Sequence, residues 1–460
     1  MALADLLTRG VEALRRGDAQ TAAKHFQAVL AIRPGHPVAV RNLGVIFMEA
    51  GLHDAALKLA EIVLSAQPDH GEALLMRGEA LAAKGRFTEA LDAYQRAIAA
   101  PAGPAYEATM QLGLARAALR DHAGALLDLN RALALKPGAP ATLYRRGIVR
   151  MQLRDFGGWV DYEARFDFKR FLSRSGGVIT ADMAPRIARH PTPASLAGQR
   201  VLVLGEQGIG DQVMFASMLP DLAKVAASIT LVCEARLAAI FAASFPGLTV
   251  SGPKDARVSP SEIDQIVAMG SLGVMFRPNE AAFPGTPYLA PRPAVREAWA
   301  ARLGPRTGKL RVGLSWRGGL ARTRLSERSL TLEQLAPILS LPGCEFVSLQ
   351  YGDVAEETAG HPLRVFPASE IEDFEQLAGL AANLDLVVSV QTALVHLAGA
   401  VGLPCLTLVP HNAEWRYAAD GPSMPWYRSV RLFRQAAPGA WAPVIEQVKA
   451  ELAAHRALGD

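Results

Sequence analysis

A period of thirty-four residues runs through the first third of the chain and leaves few ways for it to fold. Gly10, Gly44, Gly78, Gly113 and Gly147 are spaced 34, 34, 35 and 34 apart. Ala22, Ala56, Ala90 and Ala125 follow the first four glycines by 12, and Pro34, Pro68 and Pro137 close three of those four units. A small residue on each of two antiparallel helices lets the pair cross closely, and a proline ends the pair. Phe26 and Tyr94 fill a large apolar position after the alanine, while Pro101 and Pro104 with a one-residue insertion replace the closing proline of the third unit. The pattern predicts four full helical pairs and a partial fifth that starts near Thr142. Such pairs cannot bury their apolar faces alone, so they stack into a solenoid with a concave face.

This spacing is the tetratricopeptide pattern. The usual work of such an array is to hold a peptide or protein; a rigid spacer or a dimerisation arm is the plainer alternative. Beyond Gly147 the repeat breaks down, and Trp159, Tyr162 and Phe166 fall at helical spacing. They are expected to cap the solenoid and pack it onto the next domain. Residues 173–198 are rich in Gly, Pro, Ser and Arg without periodicity and read as a connection. The expected divisions are a solenoid over 1–170, a linker over 171–198, α/β domains over 199–305 and 306–440, and a final crossover helix over 441–460.

From Arg200 onward, short apolar runs alternate with helical patterns. Strands are expected at 201–204, 229–233 and 264–268, with helices from 211 to about 225 and over 236–244; residues 286–289 close this unit. A second series follows, with strands at 311–316, 345–350, 386–390 and 405–409 and helices at 332–339, 372–380 and 393–401. An amphipathic helix over 441–458 presents Val444, Ile445, Val448 and Leu452 on one face. Alternation of this kind makes a doubly wound parallel sheet, and two such sheets make two Rossmann-like halves whose strand ends face a shared cleft. The expected fold class is an α-solenoid followed by α/β of the GT-B type.

Composition excludes several classes. The 460 residues are 50% hydrophobic and 20% charged, with a formal net charge of +4 whose basic residues are dispersed. No nucleic-acid footprint stands out. Cys233, Cys344 and Cys405 are far apart with no metal-ligand spacing, as expected of free thiols in a reducing compartment. The start of the chain lacks the shape of a signal peptide, no apolar run is long enough to span a membrane, and a cytoplasmic location is expected.

The stretch 385–404 carries the strongest chemical signal. A β-branched run over 386–390 breaks at Gln391-Thr392 into a small-residue helix that stops at Gly402 and Pro404. The first N–H groups of that helix are unpaired and carry the positive end of its dipole, which makes an anion site. Thr392 and His396 would add side-chain donors. A diphosphate seat is one reading, and an ordinary α/β unit with a core histidine is the other. The loop Gln207, Gly208, Ile209, Gly210, Asp211 invites a dinucleotide reading that Glu234 supports, but Val213 stands where the third glycine belongs, so hydride transfer fits poorly. No Walker lysine follows a glycine loop and no HExxH occurs. Asp211 starts a helix and is either its cap or a general base that takes a proton from an attacking hydroxyl. Arg317, Arg322, Arg324 and Arg328 follow one strand; any of them could be solvated, but a leaving diphosphate without a metal would need such charges. Arg317 and Arg328 lie nearest to element ends.

The whole chain resembles bacterial tetratricopeptide proteins fused to a heptosyltransferase-like glycosyltransferase domain of family 9. The matching residues are Gly158-Trp159 with Tyr162-Glu163 and Arg165, then Glu206-Gln207-Gly208-Ile209-Gly210-Asp211, Arg328-Ser329-Leu330 and Ser348-Leu349-Gln350. They continue with the strand 385–390 and Thr392, His396-Leu397-Ala398-Gly399-Ala400, Glu414-Trp415-Arg416-Tyr417, Pro425-Trp426-Tyr427 and the run 431–435. The resemblance implies a metal-independent, inverting transferase that uses a nucleotide sugar and no other cofactor. It implies Asp211 as base, with Gln391, Thr392, His396, Arg317, Arg328 and Gln350 on the donor. Trp415 and Arg416 would line the cleft, and 425–435 would support the final helix. It further implies a protein acceptor, such as flagellin, held by the solenoid. Such proteins usually carry aspartate where Gln391 stands. An uncharged amide there implies an altered donor or a weakened enzyme, and the alternative function is a protein-binding adaptor whose transferase-like domain has lost turnover.

Overall fold

The computed structural model describes residues 3–101, 103–166, 177–180, 182–318 and 325–457. The chain forms two compact units, Met1–Leu153 and Arg154–Asp460.

Nine helices are found among the described residues of the first unit: α1 (Leu3–Arg15), α2 (Ala19–Ile32), α3 (Pro37–Glu49), α4 (His53–Ala66), α5 (Gly71–Ala83), α6 (Phe87–Ala99), α7 (Ala105–Ala118), α8 (His122–Leu135) and α9 (Pro140–Gln152). They are the four expected pairs and the first helix of a fifth. The repeating residues act as the spacing implies. Ala22, Ala56, Ala90 and Ala125 are fully buried. A Cβ at Gly10 would stand 2.8 Å from the ring of Phe26, and one at Gly78 2.4 Å from the ring of Tyr94, so the glycines are the seats of those rings. Asp18 and Asp121 begin α2 and α8 by accepting from the Thr21 and Gly124 N–H groups. The insertion in the third unit also needs a glycine, because a Cβ at Gly103 would lie 2.2 Å from the Ala97 carbonyl oxygen.

The second unit contains two sheets. The first orders β1 (Arg200–Leu204), β2 (Ser228–Val232), β3 (Thr249–Ser251) and β4 (Gln265–Ala268) as β3-β2-β1-β4, all parallel. The second contains β5 (Leu310–Ser315), β6 (Cys344–Ser348), β7 (Leu363–Arg364), β8 (Leu386–Val390), β9 (Cys405–Val409), β10 (Ser423–Met424) and β11 (Tyr427–Arg434). Its order is β10-β11-β9-β8-β5-β6-β7, parallel except where β10 meets β11. All five residues of β8 are buried, as befits a central strand covered on both faces. Each half therefore has a switch point beside its first strand, between β1 and β4 and between β5 and β8. In such folds the crevice at the carboxyl ends of those strands is where ligands bind. This is the GT-B arrangement of two Rossmann-like halves.

Several expected boundaries shift. The units divide at Leu153 and Arg154 rather than at 170. The helix Gly158–Tyr162 belongs to the α/β unit, where Trp159 is 1% exposed and meets Phe215, Trp415 and Trp426 edge-on. Of the expected linker, Ile179 and Met183 are buried in the core of the first sheet, and Ile187 bridges to Ile266 of β4. The helix from 211 breaks into Ile209–Ala216 and Leu219–Ala223, with Pro220 at the restart. The expected helix 332–339 is reduced to Ala336–Leu339. The last helix, Ala442–Ala457, puts Val444, Ile445, Val448 and Leu452 into the core of the second sheet, where the resemblance implies a crossover. Residues 425–435 hold a sheet strand, β11, instead of only supporting that helix. No helix among the described residues is long and apolar enough to cross a membrane.

Candidate active site

Two helices start at the two switch points, and they pack on each other. The first is Ile209–Ala216, whose N-cap is Gly208 and whose third residue is Asp211. Gln207 enters it with φ +63°, and the Gly208 N–H donates to Asp211 Oδ2 at 3.1 Å. The second is Ala393–Val401, capped by Thr392 and ended by Gly402 in the left-handed region, φ +79°. Gly210 makes their close approach possible, since a Cβ there would stand 3.1 Å from His396 Cδ2 and 3.3 Å from Ala393 Cα.

Across this contact runs one ion pair. Arg416, in the turn Trp415–Tyr417 after β9, donates from Nε to Asp211 Oδ1 at 2.5 Å, and its Nη2 meets the same oxygen. Asp211 is 7% exposed. Burial alone would weaken the charge on Arg416, but the Asp211 and Glu414 carboxylates outweigh it and push its pKa up. The pair joins the two halves over a sequence separation of 205 residues. Asp211 is thus both a local cap, through Oδ2, and a partner of Arg416, through Oδ1; Oδ1 takes both Arg416 donors, and Oδ2 keeps a lone pair for a further one.

The other expected residues divide into two groups. Arg317 holds Glu357 at 2.8 Å, and Arg328 lies 3.5 Å from Glu414, which also approaches Arg416. These arginines are therefore near charged partners in this state. Arg322 and Arg324 lie outside the described residues. Gln391 is 2% exposed, yet neither its Oε1 nor its Nε2 has a hydrogen-bond partner. Leaving both ends of a buried amide unpaired costs on the order of 1–3 kcal/mol for each group, so the position calls for a polar partner. Gly318 approaches the backbone here, for a Cβ on it would lie 2.8 Å from the Gln391 carbonyl oxygen.

Three residues expected on the donor are occupied by the protein itself. Gln350 Oε1 accepts from Ser315 Oγ, Trp316 N and Arg317 N at 2.8–3.0 Å, and its Nε2 donates to the Arg317 carbonyl at 3.2 Å. It fixes the turn after β5. Thr392 Oγ accepts from the Leu394 N–H at 3.1 Å. Ser389 donates to the Val390 carbonyl, so in its 3.3 Å contact with Thr392 the threonine hydroxyl is the donor. His396 is 3% exposed, with Nδ1 3.4 Å from Tyr427 Oη and its ring against Tyr417 and Tyr427. Burial, aided by the Arg416 charge, pushes it down to about 3, so it is a neutral part of the helix contact and offers no charge to a phosphate. Trp415 is buried among Trp159 and Tyr162 and is a packing residue, while its neighbour Arg416 reaches the site.

Sequence reasoning missed Glu357 and Glu414 as partners of the arginines: nothing local sets Glu357 apart, and Glu414 stood out only as part of the matched run 414–417. Among the described residues no group of three or more His, Cys, Asp or Glu is placed to hold a metal ion.

Comparison with known proteins agrees with the first unit. Two tetratricopeptide-repeat family models match residues 13–63 and 46–104. The chain is similar to Protein FlbA of Caulobacter vibrioides, with 29% identity over 484 aligned positions that cover 96% of this chain and 76% of that one. A small glutamine-rich tetratricopeptide repeat-containing protein of Mycosarcoma maydis is 30% identical over 93 residues, 20% of this chain and 26% of its own length. Among solved structures, a tetratricopeptide protein of Thermus thermophilus is covered completely by 39% of this chain, at 20% identity and TM-score 0.34. A family 9 glycosyl transferase of Veillonella parvula is covered to 99% by 58% of this chain, at 13% identity and TM-score 0.43. The amino-terminal unit is a tetratricopeptide-repeat array.

Proposed function

We propose that the α/β unit is a metal-independent, inverting glycosyltransferase that uses a nucleotide sugar to O-glycosylate a protein, such as flagellin, held by the solenoid in the cytoplasm. The observation that supports it most is the Asp211–Arg416 pair beside the start of the helix Ala393–Val401 at the second switch point. A carboxylate and a cationic, N–H-rich helix start are brought together there, which is what transfer from a phosphate leaving group needs. In the reaction, Asp211 accepts the proton of the acceptor hydroxyl. The hydroxyl oxygen forms a bond to the anomeric carbon from the face opposite the leaving group, and the carbon–oxygen bond to phosphate breaks. Its electron pair departs with the nucleotide, whose charge Arg416, Arg317, Arg328 and the helix start offset. The unpartnered amide of Gln391 offers two N–H donors and an acceptor, which suits a sugar hydroxyl and, through Nε2, an anionic group of an altered donor as well.

An adaptor without turnover is the second reading. It is favoured by the carboxylates that Arg317, Arg328 and Arg416 already face in this state. A thermal-shift panel of UDP-, ADP-, GDP- and CMP-sugars tests the donor binding that the transferase requires. A ligand that binds only the folded state raises its stability by mass action, about 2.7 kcal/mol at a hundredfold excess over Kd. A shift with one nucleotide class, lost in Gln391→Leu, supports the transferase. No shift with any of them supports the adaptor.

A further inference from the structure

The segment 158–165 lies ahead of the first sheet and has no part in the reaction above, yet it holds a buried guanidinium, Arg165, whose N–H groups are all bonded. We infer that this segment is a brace that positions both members of the Asp211–Arg416 pair, with Arg165 and Trp159 as its positioning residues. The inference rests on the reading of that pair as the reacting site.

The first arm is Arg165. Its side chain is 5% exposed, and those of Glu163 and Glu206 are 2% and 9% exposed. Arg165 Nε donates to Glu206 Oε2 at 2.9 Å, and Nη2 donates to Glu206 Oε1 and to Ser271 Oγ at 3.0 Å. Nη1 donates to Glu163 Oε1 at 2.6 Å and to the Tyr162 carbonyl at 3.2 Å. All five N–H bonds of the guanidinium are used, and its plane lies against the rings of Tyr162 and Phe166, 4.4 and 4.5 Å from their centroids. Ser271 Oγ returns a bond to Glu163 Oε2 at 2.9 Å, and the Gly270 N–H donates to Glu206 Oε1 at 2.8 Å. Buried charges arranged in this way are seldom better for stability than apolar residues of the same volume, but they fix geometry closely. What they fix is Glu206, which is followed by Gln207 in the left-handed region and then by Gly208, the residue whose N–H holds Asp211.

The second arm is Trp159. Its indole N–H donates to the Arg277 carbonyl at 3.0 Å, and its ring fills the place where a side chain at Gly273 would stand, 2.6 Å from the missing Cβ. Trp159 meets Trp415 edge-on at 5.7 Å, and Tyr162 lies 5.9 Å from the same ring. Arg416 is the next residue, and its guanidinium lies 5.2 Å from the centre of the Trp415 ring. One short segment therefore bears on the loop before Asp211 and on the residue before Arg416.

Hydrogen exchange read by mass spectrometry on the full chain tests the brace without an assay of transfer. In Arg165→Met, amides over 206–212 are expected to exchange at least tenfold faster than in the wild type, with α1–α9 unchanged. Arg165→Lys keeps the charge but cannot span the fork, and falls between the two. Trp159→Phe is expected to raise exchange over 415–418 and not over 206–212. These two milder variants decide the matter if Arg165→Met does not fold. Wild-type exchange at both sites in folded variants, or an equal rise throughout the α/β unit, overturns the brace. Where wild-type transfer is measurable, Arg165→Lys should lower kcat about tenfold with the donor KM unchanged; an equal loss through KM overturns positioning. If no donor is ever transferred, the proposed function fails while the exchange result still decides this one.

Discussion

His396 is a residue whose charge the fold opposes strongly, and its cost can be worked out. The imidazole is buried between two helices and is pushed down to about 3 by that burial, with the Arg416 charge adding to the effect. In the unfolded chain it titrates near 6.5. Its folded value is the depressed one, so its contribution is fully present above pH 6.5 and is lost as pH falls toward 3. At pH 5 the unfolded chain has bound a proton that the folded chain has not, and the difference of about 1.5 units is worth about 2 kcal/mol. The test is urea denaturation of the wild type and of His396→Gln at pH 7.5 and pH 5. All six tryptophans, Trp159, Trp299, Trp316, Trp415, Trp426 and Trp441, lie in the α/β unit, so their emission reports on it alone. Other acid-sensitive groups are common to both proteins and cancel. The wild type should lose about 2 kcal/mol more than the variant between the two conditions. Equal losses, or a larger loss in the variant, would refute the neutral, buried assignment.

Three further outcomes are expected. Trp159→Ala removes a ring that is 1% exposed together with its bond to the Arg277 carbonyl, and should cost the α/β unit about 3–5 kcal/mol in the same denaturation experiment. In Gly399→Ala the new Cβ would stand 2.2 Å from Tyr427 Cγ, against a fully buried ring that cannot yield, so a loss of about 3 kcal/mol or more is expected; a change under 1 kcal/mol would mean the helix Ala393–Val401 sits further from β11 than described here. Burial pushes the Cys233 and Cys405 thiols up to about 12 and raises that of Cys344 as well. An aromatic disulfide reagent at pH 8 should therefore leave Cys233 and Cys405 unreacted until denaturant is added, when all three react.

The parts of the fold that local pattern dictates were legible in the sequence. The thirty-four-residue period placed the helical pairs, and the bounds of β8 and of the helix after it coincide with the apolar run and its break at Gln391-Thr392. What was not legible depends on partners remote in sequence. β11 keeps no period of two, since Tyr427, Val430, Leu432 and Phe433 are buried while Arg428 and Arg431 are exposed, and it follows Pro425 and Trp426 so closely that it reads as an irregular segment. Around Ile179, Met183 and Ile187 the sequence lacks periodicity because isolated residues, not a regular element, tie it to the sheet. The candidate site shows the same division. Asp211 and the helix start could be found from spacing, but the pairing of Asp211 with Arg416 could not. Gln350 and Thr392 could be seen as polar residues at strand ends; only the geometry shows that their hydrogen bonds serve the chain itself.

In the proposed function Asp211 and Arg416 mark a site of sugar transfer to protein. Its most direct measurement is incorporation of isotopically labelled sugar from a panel of nucleotide sugars into protein of the source cell, with the full chain and with Asp211→Asn. Label is expected on a discrete protein with one nucleotide class, reduced at least a hundredfold by the substitution, within the roughly 10²–10⁴-fold range of a lost general base. Equal labelling by Asp211→Asn would contradict the role given to that residue. No labelling with any donor would contradict the transferase itself.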